Sequence, residues 1–214
     1  MKKIMRRILF RPPLPLIIFI ILTLTSCLAG FAIFYNTLIT HDRGKYFNLE
    51  TSHLYVEFPK NWFVFRWEEK NITGNKYGLV LAPLNLRVLM LITIYDENAT
   101  KTYLTQNNVS DAFSVNMFEI EKLYNLTMKR SSNVRLRFIE NGTRIVSGYN
   151  MTYSTFIIIN GYVDEEGDTH DWTWMFMSSV NDKIIQIAYH GIEMDYDLAY
   201  EEFQYILNST KIKG

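Results

Sequence analysis

Aromatic and β-branched residues dominate three consecutive runs near the C-terminal end of the chain, residues 149–159, 169–180 and 183–190. Such residues are typical of β-strands. The breaks between the runs contain Asn-Gly, Glu-Glu-Gly-Asp and Asn-Asp, which favour tight turns. The pattern therefore predicts three antiparallel strands connected as a meander, and we expect this meander to lie at the centre of the fold.

Alternation along the second run places Trp172, Trp174 and Phe176 on one face of the strand and Met175 and Met177 on the other. Two tryptophans at this spacing fit a stacking platform for a sugar or a base. Large rings on one strand face are more often core, however, because their burial contributes about 25 cal/mol per Å² of apolar surface. We therefore expect the aromatic face to be part of the core.

Shorter strand-like runs precede the meander at residues 46–50, 53–58, 62–67, 77–81 and 86–95. The last of these is apolar on both faces, which indicates a strand that is covered on both sides. Residues 71–78 are rich in turn residues and are predicted to be a loop. Asn141-Gly142 strongly favours a two-residue hairpin turn, so it predicts a hairpin between strands 134–140 and 144–147.

Helical spacing of apolar residues predicts a helix after Ser110 and a final helix near the C-terminus. Asp195 and Asp197 are candidate N-caps of the final helix. Residues 100–108 are ambiguous. Together the elements predict a fold of the α+β class, in which residues 46–214 form one domain with an antiparallel β-sheet and two main helices.

An uncharged stretch of 22 residues, 14–35, follows five basic residues near the N-terminus. As a helix with a rise of 1.5 Å per residue it would be about 33 Å long, enough for a hydrocarbon core of about 30 Å. The basic residues predict a cytoplasmic N-terminus. We therefore expect a cytoplasmic tail (1–13), a single transmembrane signal-anchor helix (14–36), a linker (37–45) and an extracellular domain (46–214) on the cell membrane.

Two other interpretations of this segment stay open. Small residues near Ala29 and Ala32 would suit cleavage of a signal peptide. The sequence Leu-Thr-Ser-Cys ending at Cys27 resembles a lipobox, which makes Cys27 a candidate for lipidation. The apolar run continues beyond Cys27 to Tyr35, and this favours an uncleaved anchor.

The charge distribution argues against a nucleic-acid partner. The chain has 22 basic and 22 acidic residues, and no acidic residue precedes Asp42. Without the five basic residues of the tail, 17 basic residues remain against 22 acidic ones, a net charge of −5. A mildly acidic domain without a basic patch is a poor binder of nucleic acids.

Asn-x-Ser/Thr sequons are more frequent than chance predicts. With 17 Asn and 28 Ser or Thr residues in the chain, about two would be expected. Seven occur, at Asn71, Asn98, Asn108, Asn125, Asn141, Asn150 and Asn208. The excess predicts N-glycosylation of an exported domain. Since Cys27 is the only cysteine, the domain has no disulfide, and this combination suits an archaeal-like cell surface.

No catalytic or metal-binding motif is visible, so we predict no cofactor, no metal site and no enzymatic activity. The acidic segment 164–171 has enough carboxylates for Ca²⁺ but lacks the spacing of a calcium loop, which favours a solvated hairpin tip. The four histidines, His41, His53, His170 and His190, are scattered. A hydrolase-like extracytoplasmic enzyme with a site assembled from distant residues is the alternative.

Residues 55–62, Tyr-Val-Glu-Phe-Pro-Lys-Asn-Trp, and an amphipathic helix predicted over 203–212 carry a family resemblance. With this order of elements, residues 46–212 resemble the PsbP-like family, named for an extrinsic subunit of the photosynthetic oxygen-evolving complex. The resemblance implies an antiparallel sheet sandwiched between helices. It also implies binding or assembly outside the cytoplasm, with a protein or small-ligand partner, rather than catalysis. The photosystem role itself is not carried over, because no ligand residue of the plant protein matches this chain.

Overall fold

Ten strands and four helices are formed by the residues that the structure, a computed structural model, describes: 46–84, 87–131 and 133–213. The strands are β1 (Tyr46–Glu50), β2 (Leu54–Pro59), β3 (Trp62–Asn71), β4 (Gly74–Pro83), β5 (Val88–Tyr95), β6 (Arg135–Val146), β7 (Tyr149–Val163), β8 (Thr169–Val180), β9 (Ile184–Ile192) and β10 (Lys211–Ile212). The helices are α1 (Glu97–Asn107), α2 (Ala112–Met128), α3 (Met194–Leu198) and α4 (Tyr200–Ser209).

The predicted tail (1–13), anchor (14–36), linker (37–45) and Cys27 lie outside the described residues. In the part of the chain that is described, no helix is long and apolar enough to cross a membrane.

Seven antiparallel strands form the main sheet, in the order β3-β4-β5-β9-β8-β7-β6. The predicted meander is confirmed, since β7, β8 and β9 are consecutive in the chain and adjacent in the sheet. A second sheet has the order β1-β2-β10 and is also antiparallel. These features confirm an α+β fold built on antiparallel sheets.

Helices cover both faces of the main sheet. On one face, Ile120 of α2 packs against Phe156 of β7 and Trp174 of β8. Tyr189 of β9 points to the opposite face, because its neighbour Ala188 belongs to the α2 side. There the ring of Tyr189 stacks on Phe203 of α4, with 4.1 Å between the ring centroids. The sheet is therefore sandwiched between helices, as the resemblance implies.

The ambiguous segment 100–108 belongs to α1. Asp96 caps this helix by accepting a hydrogen bond from the backbone N–H of Ala99, at 2.8 Å. Farther along, the Thr100 hydroxyl accepts a hydrogen bond from the backbone N–H of Ile184, also at 2.8 Å. The helix thus attaches to the sheet through a buried polar contact as well as through the packing of Ala99.

The predicted hairpin at Asn141-Gly142 is wrong. Strand β6 continues through both residues, and the turn lies at Ser147-Gly148, where φ is 53° and 82°. Positive φ at both central residues is what a type I′ hairpin turn requires. Gly142 is instead required by packing, because a Cβ there would lie only 2.7 Å from the ring of Tyr153.

Three other boundaries differ from the prediction. The loop predicted over 71–78 is a two-residue turn, because β3 extends to Asn71 and β4 begins at Gly74. Asp195 and Asp197 lie inside α3 and cap no helix, and α3 and α4 begin without side-chain caps. The final helix ends at Ser209, after which β10 pairs with β2.

Candidate functional site

Three connections meet at one end of the main sheet: β4–β5, β7–β8 and β9–α3. Backbone hydrogen bonds join them, from Ile192 to Arg87 at 3.2 Å and from Glu193 to Asp171 at 3.0 Å. The side chain of Asp195 adds a bond from the backbone N–H of Arg87, at 3.0 Å. We call the surface formed by Leu84, residues 163–170 and residues 193–198 the apolar–acidic end.

His170 bridges two of these connections. Its Nε2 lies 2.9 Å from Oδ2 of Asp164 in the β7–β8 connection, and its Nδ1 lies 2.7 Å from Oε1 of Glu193 before α3. Hydrogen bonds to Asp164 and Glu193 raise the pKa of His170, and the same contact with His170 lowers the pKa of Asp164. The imidazolium form therefore donates to a carboxylate from each ring nitrogen.

Asp164 also forms hydrogen bonds within the acidic β7–β8 connection. Its Oδ1 accepts hydrogen bonds from the backbone N–H groups of Glu166 and Asp168, at 3.0 and 2.8 Å. The carboxylates of Asp164, Glu166 and Asp168 approach within 4.8 Å of one another, and those of Glu166 and Asp168 are exposed. Because the Asp164 oxygens accept bonds from the loop and from His170, the loop is a hairpin tip held by its own hydrogen bonds.

Glu193 has an unusual backbone conformation, with φ 49° and ψ −126°. Residues other than glycine rarely adopt this region, and it costs on the order of 1–3 kcal/mol. The contacts of its backbone with Asp171 and of its side chain with His170 hold it there. Strain of this kind persists where the surrounding structure fixes it, and it is most common at functional sites.

Large apolar side chains are exposed at this end. Met194 and Leu198, at positions i and i+4 of α3, are 76% and 67% exposed. Leu84, which follows β4, and Val163, the last residue of β7, are also exposed at this end. Clustered apolar side chains on a surface mark interaction sites more often than single ones do.

The charge of the apolar–acidic end is strongly negative. It contains seven carboxylates and the His170 imidazolium, and the exposed Arg87 of the β4–β5 connection adds one further positive charge beside it. The carboxylates are those of Asp164, Glu165, Glu166, Asp168, Glu193, Asp195 and Asp197. An apolar surface with such a rim is complementary to a partner that is both apolar and basic.

His190 does not join this cluster. It accepts a hydrogen bond at Nδ1 from the indole N–H of Trp172, at 3.0 Å, and its ring lies 4.1 Å from that of Trp174. Burial lowers the pKa of His190 to about 4, so the ring is neutral. Trp174 is buried beneath α2, whereas Trp172 and Phe176 are half-buried, so the expectation that this face is core is met fully only at Trp174.

An apolar groove of about 600 Å³ runs between α2 and β6. Its lining includes Phe113, Met117, Tyr124, Leu136 and Phe138, with Glu121 as the only carboxylate and no histidine. A second cleft, of about 300 Å³, lies at the end of the main sheet opposite the apolar–acidic end. His53, Glu68 and Tyr77 form part of its wall. The first groove is suited to apolar contact, and the second has mixed polarity.

All seven sequon asparagines are exposed. Asn71 ends β3, Asn98 and Asn125 lie in α1 and α2, Asn108 follows α1, Asn141 and Asn150 lie in β6 and β7, and Asn208 lies in α4. The connections of the apolar–acidic end contain none of them.

Sequence reasoning missed the roles of Glu193, Met194 and Leu198. The i, i+4 spacing of Met194 and Leu198 beside three carboxylates was a usable signal. The strain at Glu193 had no sequence signal, since it depends on His170 and Asp171 from another strand.

No protein-family model matches the chain, and a search of curated proteins gave no significant match. Among solved structures, the chain is similar to the solution structure of cyanobacterial PsbP (CyanoP) from Synechocystis sp. PCC 6803, with 13% identity, a TM-score of 0.50, and coverage of 81% of this chain and 97% of that one. LpqN of Mycobacterium tuberculosis, described as involved in cell envelope biogenesis, has 11% identity and a TM-score of 0.43, with coverage of 82% and 90%. A Bacteroides thetaiotaomicron VPI-5482 protein has 9% identity and a TM-score of 0.41, with coverage of 81% and 50%. The resemblance noted in the sequence is confirmed for the architecture: the described part of the chain has the PsbP-like fold.

Proposed function

We propose that this protein is a membrane-anchored, extracytoplasmic binding or assembly module without catalytic activity, which docks a basic and partly apolar protein surface on its apolar–acidic end. The observation that carries the proposal is the exposed pair Met194 and Leu198, which follows a strained turn in a segment that also carries the carboxylates at positions 193, 195 and 197. Apolar contact would supply affinity, and the charged rim would orient the partner.

His170 and His190 support binding rather than catalysis. A general base needs a ring nitrogen that is free to take a proton from a substrate. Both ring nitrogens of His170 face carboxylates, and His190 is half-buried against two tryptophans, one of which donates a hydrogen bond to its Nδ1. Neither residue is arranged for proton transfer.

The membrane anchor and the glycans complete the proposal. Residues 14–36 would hold the domain on the outer face of the cell membrane, with lipidation at Cys27 as the alternative mode of attachment. Several of the seven exposed sequon asparagines would carry glycans. Attachment to the membrane keeps a binding domain close to partners in the same membrane.

The enzymatic alternative would use the cleft beside His53. Glu68 and Tyr77 also line this cleft, and the buried Tyr77 hydroxyl has no hydrogen-bond partner among the described residues. Hydrolysis of generic ester or glycoside substrates that is abolished by His53→Ala would establish this alternative in place of a non-catalytic module.

Site-specific photo-crosslinking in membranes of the native host tests the docking proposal. A photoreactive residue at position 194 or 198 should give a discrete adduct with a protein whose contacting surface is basic, and the yield should fall with added salt. The matched control is position 72 in a chain that also carries Asn71→Gln, so that no glycan covers it, because Ile72 is equally apolar, fully exposed and at the opposite end of the sheet. Equal adducts from positions 72 and 194, or an acidic contacting surface, would contradict the proposal.

A further inference from the structure

The secondary structure around a sequon determines whether its two essential side chains face the same way. Successive residues in an α-helix are rotated by about 100°, so residues i and i+2 point to nearly opposite sides. In a β-strand, residues i and i+2 point to the same face. An exposed asparagine in a helix therefore places the hydroxyl of its sequon toward the core.

Three sequons of this chain are divided: those of Asn98 and Asn125 lie inside helices, and Asn208 lies in the last turn of α4 with Thr210 as the C-cap. Their asparagines, Asn98, Asn125 and Asn208, are exposed, whereas their threonines, Thr100, Thr127 and Thr210, are only 2%, 4% and 2% exposed.

Each of these threonine hydroxyls is also engaged in a hydrogen bond. The Thr100 hydroxyl accepts from the N–H of Ile184 at 2.8 Å. The Thr127 hydroxyl donates to the carbonyl of Leu123 at 2.9 Å, and the Thr210 hydroxyl donates to that of Ile206 at 2.8 Å.

The other four sequons present both side chains to solvent or nearly so. Asn71, Asn108 and Asn141 are followed two residues later by exposed hydroxyls, and Asn150 by the half-buried Thr152. At the β3–β4 turn, the Thr73 hydroxyl donates directly to Oδ1 of Asn71, at 2.6 Å. These sequons lie in strands, turns and a helix C-terminus rather than inside helices.

N-glycosylation requires access to both groups. The amide nitrogen of asparagine forms a bond to C1 of a lipid-linked sugar, the bond from C1 to the lipid phosphate breaks, and the amide proton passes to a base of the transferase. The transferase positions the amide by binding the hydroxyl at i+2. A hydroxyl that is buried on the far side of a helix is out of its reach.

We propose that Asn98, Asn125 and Asn208 accept glycans only before the domain folds, whereas Asn71, Asn108, Asn141 and Asn150 remain acceptors in the folded domain. This inference rests on the proposed glycosylation. Glycans found at the three helical sequons in native material would then indicate that the chain crossed the membrane before it folded.

An in vitro reaction tests the inference. The full chain, made without glycans and purified in detergent, is incubated with an oligosaccharyltransferase and a lipid-linked oligosaccharide, and occupancy is followed by peptide mapping. Seven synthetic peptides, one for each sequon, measure intrinsic reactivity. An unfolded control carries Phe156→Asp, which places a charge in the core at a fully buried residue.

We expect the peptides and the unfolded variant to be modified at all seven sites. In the folded chain, Asn141 serves as an internal positive control, and Asn98, Asn125 and Asn208 should react about a hundredfold or more slower than their peptides, because they require local unfolding. Modification of the three helical sites at peptide-like rates overturns the inference, as does a folded chain that is unreactive at Asn71 and Asn141. Bare asparagines at all seven sites in native material would instead refute the proposed glycosylation and leave this structural result unchanged.

Discussion

His170 of β8 and Glu193, which precedes α3, are joined by a hydrogen bond of 2.7 Å between Nδ1 and Oε1. The bond links an acidic hairpin to the turn that presents Met194. Because Asp164 occupies the other ring nitrogen, the protonated ring holds together two segments that are both negatively charged. The geometry of the apolar–acidic end therefore depends on the charge of one histidine.

Stability should decrease as pH rises above neutrality. The pKa of His170 is raised in the folded state, so its contribution is complete below the unfolded value of about 6.5 and is lost as pH rises through the folded value. Thermal unfolding should show a higher Tm near pH 6 than near pH 8.5. His170→Asn should flatten this slope, and an unchanged slope in the variant would contradict the assignment.

Stability should also decrease at acidic pH, because Asp164 then becomes protonated. The pKa of Asp164 is lowered in the folded state, chiefly by the hydrogen bond from His170, so its contribution is present above about pH 4 and is lost as pH falls through the lowered value. Asp164→Asn should reduce the acid sensitivity measured by urea unfolding between about pH 5 and pH 2. A steeper acid transition in the variant would be inconsistent with this role.

Substitutions at Glu193 separate backbone strain from the ion pair. Both Glu193→Gly and Glu193→Ala remove the contact with His170, but only glycine adopts φ 49° and ψ −126° without strain. Glu193→Gly should therefore be more stable than Glu193→Ala by about 1–2 kcal/mol. Chemical denaturation measures the difference, and an alanine variant as stable as the glycine variant would show that the strain is absent.

The sequence predicted features that depend on local pattern. Strands β7, β8 and β9 were recognisable because β-branched and aromatic runs were separated by turn residues. The resemblance at residues 55–62 supplied the architecture of the sheet and its covering helices. The strained turn at Glu193 was not recognisable, because it depends on contacts with His170 and Asp171, which are far away in sequence.

The two glycines of the β6–β7 region show why the hairpin was misplaced. Asn141-Gly142 and Ser147-Gly148 are both dipeptides that tolerate a tight turn, and the sequence favoured the first. In the structure, the ring of Tyr153 approaches Gly142 so closely that no larger residue fits, and this contact cannot be predicted from the local sequence. Gly148 provides the positive φ that the turn requires. A dipeptide preference was thus overridden by cross-strand packing.

Thr100 should contribute to stability independently of glycosylation. Its hydroxyl is the partner of a buried backbone N–H, that of Ile184, so Thr100→Val leaves this donor unsatisfied. We expect a loss of about 1–3 kcal/mol in the free energy of unfolding of unglycosylated protein. Thr100→Ser keeps both the hydroxyl and the sequon of Asn98 and should lose less. Equal losses in the two variants would indicate that the methyl group, rather than the hydrogen bond, matters.

Removal of the exposed apolar pair should abolish docking without affecting folding. Met194 and Leu198 are largely exposed, so Met194→Ser with Leu198→Ser should change the free energy of unfolding by no more than about 0.5 kcal/mol. Burial of each side chain in an interface would contribute about 1.5 kcal/mol or more, so the double variant should bind the partner identified by crosslinking about a hundredfold more weakly. Ile72→Ser is the matched control, because it makes the same kind of change at the opposite end of the sheet, and it should leave affinity unchanged. If the double variant binds as tightly as the wild type, the partner contacts another surface, and the groove between α2 and β6 becomes the next one to test by the same substitutions at Phe113 and Phe138.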